Sequence, residues 1–223
     1  MGQLQRCALS FSGGKDSVLA LDRALRQGLA VDFLVTMYDE ASRRVRFHGV
    51  PIELIQAQAK ALGIPLLAYP NAPESFERVF LQSLQDLRQH GISTLLFGNI
   101  HLADVRAWYE ERVIAAGLLH GELLWGEPPT KLVRAFLARG YAALLTCIEE
   151  ARTDPAWLGA PLTESLIQAF EQSGIDPCGE RGEYHTFVYA GPLFSAPLAF
   201  RLGERISSAG FQLIDIQPEF ELL

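Results

Sequence analysis

The run Ser10-Phe11-Ser12-Gly13-Gly14-Lys15-Asp16-Ser17 constrains this chain more than any other stretch. It follows the apolar Cys7-Ala8-Leu9 and leads at once into Val18-Leu19-Ala20-Leu21-Asp22-Arg23-Ala24-Leu25, which predicts a strand, a tight turn and a helix. In that arrangement the free N–H groups of the first helical turn and the positive end of the helix dipole meet at one point, an anion site. Gly13 and Gly14 let the backbone approach a ligand where a Cβ would intrude. Ser12 and Ser17 add hydroxyl donors, and Lys15 adds a positive charge. The pattern reads as phosphate chemistry, with Ser10, Ser12, Gly13, Gly14, Lys15, Asp16 and Ser17 as candidate contacts. A plain Ser/Gly turn with an exposed lysine is the alternative; motif, preceding strand and following helix together weigh against it. Two better-known phosphate loops are excluded. The Walker pattern G-x-x-x-x-G-K-[ST] fails because Asp16 follows Lys15 and Leu9 stands five before Gly14, and no third glycine completes G-x-G-x-x-G.

The first half of the chain alternates strand and helix. Val31–Tyr38 reads as a second strand, mostly apolar as a strand covered on both faces should be. Pro51 opens a helix with Ile52, Ile55, Ala59 and Leu62 at helical spacing and Gly63 as its stop. Ile64–Tyr69 is the expected third strand, Phe76 to Leu87 a long amphipathic helix, Ser93–Gly98 the fourth strand, and Leu102, Val105, Tyr109 and Val113 the next helix. This repetition predicts an α/β fold, a doubly wound parallel sheet of Rossmann-like type, with ligands at the carboxyl ends of its strands. Beyond about residue 125 the texture changes. A helix through Leu132–Leu137, a strand over Tyr141–Ile148, a helix over Thr163–Ser173 and strands at Tyr184–Tyr189, Leu198–Leu202 and Phe211–Ile216 predict a smaller α+β domain. The expected division is 1–125 and 126–223.

Composition narrows the function classes. The excess of 26 acidic over 19 basic residues argues against broad nucleic-acid binding, which needs a basic face. No apolar run approaches the ~20 residues that span a bilayer, and Met1–Arg6 has no signal-peptide core, so the expected location is the cytoplasm. Cys7, Cys147 and Cys178 are widely separated and form no C-x-x-C, which fits reduced thiols and gives no support to a zinc or iron–sulfur site.

A second dense polar stretch is Asp176-Pro177-Cys178-Gly179-Glu180-Arg181-Gly182-Glu183-Tyr184-His185-Thr186-Phe187. Alone it could be an ordinary polar connection. Taken with S-G-G-K-D-S, its G-E-x-H-T resembles the diphthine–ammonia ligase family, a branch of the N-type ATP pyrophosphatases that cleave ATP to AMP and pyrophosphate. Phe97-Gly98-Asn99-Ile100, Leu123-Leu124-Trp125-Gly126 and Gly191-Pro192-Leu193-Phe194 also fit, so the resemblance spans nearly the whole chain. The run Asp176–Glu180 resembles bacterial members, which are not expected to make diphthamide, so the substrate is left open. One departure is Asn99, where the family's G-D-I motif has an aspartate.

The resemblance implies adenylation of a carboxylate followed by displacement of AMP by ammonia. ATP would place its terminal phosphates on the Ser12–Ser17 loop and adenine near Met37 and Tyr38, with Mg2+ held mainly by phosphate oxygens and Asp16. Lys15 and Asp16 would act at the phosphates, and Glu183 or His185 would position ammonia or take its proton. His48, Gly98, Asn99, His101, Glu180, Gly182, Glu183 and Thr186 are the candidate substrate-site residues; for His48 and His101 a surface-loop reading stands beside this one. The expected partners are ATP, ammonia and an unidentified carboxylate, with no membrane; a homodimer is left open. Two rival readings are a tRNA sulfurtransferase sharing the loop, which needs reactive cysteines and a basic surface, and a non-catalytic ATP-binding sensor.

Overall fold

The computed structural model describes residues 6–219, so the reading of Met1–Gln5 lies outside the described residues. The first strand, β1 (Arg6–Ser10), runs into the glycine loop and then α1 (Lys15–Arg26). Next come β2 (Ala30–Asp39), β3 (Arg44–Val45), α2 (Ile52–Leu62), β4 (Leu66–Asn71), α3 (Phe76–Gln89), β5 (Thr94–Phe97), α4 (Ala103–Ala115) and β6 (Leu119–Glu122). Five of these strands pair in parallel, in the order β4-β2-β1-β5-β6. The chain order therefore reverses at β1: β2 and β4 lie on one side, β5 and β6 on the other. That reversal opens a crevice at the carboxyl end of β1, where the loop emerges.

Helices cover both faces of the sheet, as expected. On one face α1 and α2 bury Val18, Leu21, Leu54 and Ile55 against Leu9 and Leu34. On the other, α3 and α4 bury Phe80, Leu84, Leu87 and Val113 against Ala8, Val35 and Leu95. Alternate residues of β1 and β2 thus serve opposite faces, which is why both strands read as mostly apolar rather than alternating. The helix over 52–62 ends as expected, with Gly63 in the left-handed region (φ 69°), where a Cβ would be strained.

The remainder is α5 (Pro129–Ala138), β7 (Ala142–Glu149), α6 (Glu164–Gln172), β8 (Tyr184–Ala190), β9 (Phe200–Ser208) and β10 (Phe211–Pro218). Its strands form a separate antiparallel sheet, β8-β7-β10-β9. Thr163 caps α6 by accepting from the Leu166 N–H. Leu144, Leu145, Ile167, Phe170 and Phe187 of this part belong to the same buried cluster as Leu9, Val18 and Ile55, so one core runs through both sheets.

Four elements differ from the sequence expectation. The third strand is shifted two residues, to Leu66–Asn71. The short β6, just before the Leu123–Gly126 run, had no range of its own in the sequence reading. The strand expected at Leu198–Leu202 extends as β9 to Ser208. The two-residue β3 is antiparallel to β2 and had no counterpart. No helix among the described residues is long and apolar enough to cross a membrane.

Candidate active site

The loop is held open by its neighbours rather than by its own turns. Gly14 precedes α1 in an extended conformation, with no side chain capping the helix. Gly13 has φ 78°, and a Cβ there would stand 2.3 Å from Gln58 Oε1. That close approach allows the fully buried Gln58 of α2 to donate through Nε2 to both Gly13 O (2.9 Å) and Val188 O (2.6 Å). Val188 N also donates to Gly13 O at 3.0 Å. Two residues back along β8, the Thr186 hydroxyl accepts from Lys15 N at 3.0 Å. The G-E-x-H-T strand is therefore hydrogen-bonded directly to the S-G-G-K-D-S loop. Among the described residues, the N–H groups of Ser12, Gly13, Asp16 and Ser17 have no protein partner, which leaves four donors around the start of α1.

A polar cavity of about 220 Å³ lies between the two motifs, walled by Ser10, Ser12, Lys15, Asp16, Ser17, His48, Gly98, Asn99, Tyr109, Cys178, Glu180, Tyr184, His185 and Thr186. An apolar cavity of about 470 Å³ adjoins it across Ser10, Ser12, His48 and Tyr109. Val35, Met37, Phe76, Phe80 and Val105 line that second space, and Arg46 and Phe47 stand at its edge. Phe47 is 70% exposed and adopts φ 64°, a strained conformation for an aromatic residue, with its ring 6.0 Å from that of His185.

Lys15 is only 3% exposed. Its Nζ donates to Asp16 Oδ2 at 2.9 Å and to Cys178 O, and lies 4.8 Å from the Tyr184 ring centre. Burial, the largest single influence, acts to lower its pKa, but Asp16, Tyr184 and Cys178 together outweigh it and Lys15 is held charged, well above the ordinary lysine range. Asp16 is pushed up by burial, against the pull of Lys15. Glu180 accepts from Ile100 N at 3.2 Å, and burial, reinforced by the charge of Asp16, raises it to about 7. His48 Nδ1 donates to Thr186 O (3.0 Å), and the imidazole is pushed down to about 4, chiefly by burial. His185, with its ring 4.7 Å from that of His48, is likewise driven well down, by burial and by that neighbour. Both imidazoles are neutral near pH 7.

Most of the candidates meet here. Ser10, Ser12, Lys15, Asp16, Ser17, His48, Gly98, Asn99, Glu180, His185 and Thr186 share the polar cavity, Gly13 and Gly14 form its loop, and Met37 lines the apolar space. Four stand outside it. Tyr38 projects to the opposite side of β2 from Met37 and packs on the α1/α2 core. His101 pairs with Asp176 Oδ2 at 2.5 Å, steadying the turn before Cys178. Gly182 supplies a left-handed turn residue, φ 87°. Glu183 points away from the cavity, 2% exposed, with Oε1 3.2 Å from Arg152 Nη1. Sequence reasoning missed Gln58, though a lone amide inside the apolar stripe Ile52-Ile55-Ala59-Leu62 was a usable signal. It also missed Glu122, which accepts from Asn99 Nδ2 at 2.8 Å.

A strand, glycine loop and helix at the reversal point of a parallel sheet, closed by a strand of a second sheet, define a Rossmann-like α/β protein with a glycine loop at the start of its first helix. Its family follows from comparison with known proteins. The model of the diphthamide synthase N-terminal domain matches residues 5–119, and that of the diphthamide synthase C-terminal domain matches residues 128–219. The chain belongs to the diphthamide synthase family. Among curated relatives, the diphthine–ammonia ligases of Mus musculus and Rattus norvegicus are each 25% identical over 227 residues, covering 90% of this chain and 85% of the relative.

Proposed function

We propose that this protein is an ATP-dependent ligase that adenylates a carboxylate and amidates it with ammonia, releasing AMP and pyrophosphate. The observation that carries the reading is the junction of the two motifs. Free amides of the phosphate loop, a charged buried lysine and a carboxylate near pKa 7 face one small cavity beside a larger apolar one. Family membership and the named activity of the rodent relatives support it.

In this reading the adenosine occupies the apolar cavity beside Met37, and the terminal phosphates meet Ser12, Gly13, Lys15 and Ser17. Attack by the carboxylate on the α phosphorus sends negative charge onto pyrophosphate, which Lys15 and the loop amides stabilise without having to reorganise. Mg2+, when bound, neutralises phosphate charge. Asp16 is the carboxylate placed to share it. Among the described residues no three His, Cys, Asp or Glu side chains cluster to hold a metal by themselves, which suits an ion that arrives on phosphate oxygens. Ammonia then attacks the acyl-adenylate and must shed a proton. Glu180, raised to about 7 and on the cavity wall, is the base for that step. Glu183 and the neutral His185 are less suited, the first by position and the second by its depressed pKa.

The sulfurtransferase alternative lacks a reactive thiol. Cys178 Sγ donates to Pro129 O, and burial raises the Cys178 thiol and pushes that of Cys147 up to about 12. The direct test supplies ATP labelled at the α phosphate, ammonium chloride, and either diphthine-bearing elongation factor or pooled small carboxylic acids. Carboxylate-dependent AMP with equal pyrophosphate is expected. ADP as the product, or ATP bound and never cleaved, overturns the proposal and favours a sensor.

A further inference from the structure

Asn99 follows β5 and forms part of the polar cavity wall. Its Nδ2 donates to Oε1 of Glu122, the last residue of β6, which pairs in register with Phe97. Glu122 is nearly enclosed. Its Oε1 lies 3.1 Å from His120 Nε2, and Oε2 has no partner among the described residues. An ionised carboxylate can only accept, so Glu122 dictates which end of the Asn99 amide it faces. One N–H of the Asn99 amide is taken by Glu122, which fixes the NH2 end toward β6 and leaves Oδ1 without a role there. One residue further on, Ile100 N holds the Glu180 carboxylate, also on the cavity wall. Asn99 and Glu180 thus bring acceptor oxygens to the wall of one small cavity. An aspartate at 99 would put two carboxylates within hydrogen-bonding distance, and one of them would have to keep a proton. Asn99 is thus the complement of Glu122.

We propose that Asn99 Oδ1, oriented by Glu122, forms with the Glu180 carboxylate the subsite for ammonia, with Glu122 a positioning residue. A small molecule with three N–H bonds and no large group fits two acceptors on the wall of a cavity of about 220 Å³. The assignment rests on the amide-forming reading above and names the place of its second substrate.

The test uses the whole chain labelled with 15N, titrated with ammonium chloride, and with tetramethylammonium chloride at equal ionic strength as control. The reporter is the Ile100 backbone amide resonance, whose N–H contacts Glu180. The wild type should show a saturable shift with ammonium and none with tetramethylammonium. Asn99→Ala should weaken ammonium about tenfold, the equivalent of one charge-assisted hydrogen bond. Asn99→Asp should weaken it as well, since Glu122 and Asp would compete for one proton. Glu122→Gln should weaken it in the wild-type background yet restore it in the Asn99→Asp background, because the donor and acceptor have changed places. A packing role alone gives no such reversal of sign. Coincident ammonium and tetramethylammonium titrations, or equal ammonium affinity in wild type and Asn99→Ala, overturn the subsite. Labelled-ATP turnover in the same samples separates the two proposals. AMP formation without an Asn99-dependent ammonium response sinks the subsite alone, and the response without AMP formation sinks the ligase reading.

Discussion

Glu180→Gln should make the protein more stable in alkaline solution while removing its catalysis. Gln keeps an acceptor for Ile100 N at nearly the same volume and removes a charge that burial and Asp16 both oppose. Glu180 moves from an ordinary value of 4.5 to about 7 on folding. Between those values the folded state binds more protons than the unfolded state, so stability falls as pH rises through the window and stays low above it. A shift of that size corresponds to about 3 kcal/mol at about pH 8 and under about 1 kcal/mol at about pH 5. In a chain of this length, each 1 kcal/mol moves the melting midpoint by roughly 2–4 °C. Thermal melts of wild type and variant at the two pH values measure the difference. The variant should melt several degrees higher at about pH 8 and nearly level at about pH 5. A variant less stable than wild type at the higher pH, or an offset equal at both, refutes the assignment of a strained carboxylate. At constant free ammonia, amide formation by the wild type should fall about tenfold per pH unit below about pH 7.

Lys15→Met should bind ATP weakly and abolish AMP formation in the labelled-ATP assay, because it removes the buried charge facing the loop. Gly13→Ala should cost at least about 1–2 kcal/mol from the left-handed backbone alone. Its Cβ also displaces the Gln58 clamp, so urea unfolding and nucleotide affinity should worsen together. Glu183→Gln should lower the melting midpoint by loosening the Arg152 pair, while leaving the Michaelis constant for ATP unchanged; a change confined to ATP affinity would place Glu183 in the nucleotide site instead.

The loop and both helical faces were legible because each depends on local pattern: apolar runs, 3.6-residue spacing and glycine stops. The fifth strand was not, since Leu119-His120-Gly121-Glu122 carries no apolar run and is defined by pairing with Thr94–Phe97. The extent of β9 was hidden for a related reason. It is an edge strand, exposed along most of its length, and has no buried face to impose alternation. Glu180 and Glu183 could not be told apart by sequence. They sit three residues apart in one polar turn, and the turns at Gly179 (φ 67°) and Gly182 (φ 87°) decide which one faces the cavity. Asn99 read as a departure from the G-D-I motif; an acidic side chain, Glu122, stands one strand away and accepts from its amide.

The bonds from Val188 and Gln58 to Gly13, and from Lys15 to Thr186, mean that neither sheet alone owns the seat for the phosphates. A nucleotide gripping that seat should act as a rivet between the halves, so that occupancy slows their parting. Grafting the second sheet from a relative would succeed only if its incoming strand met the glutamine of the host.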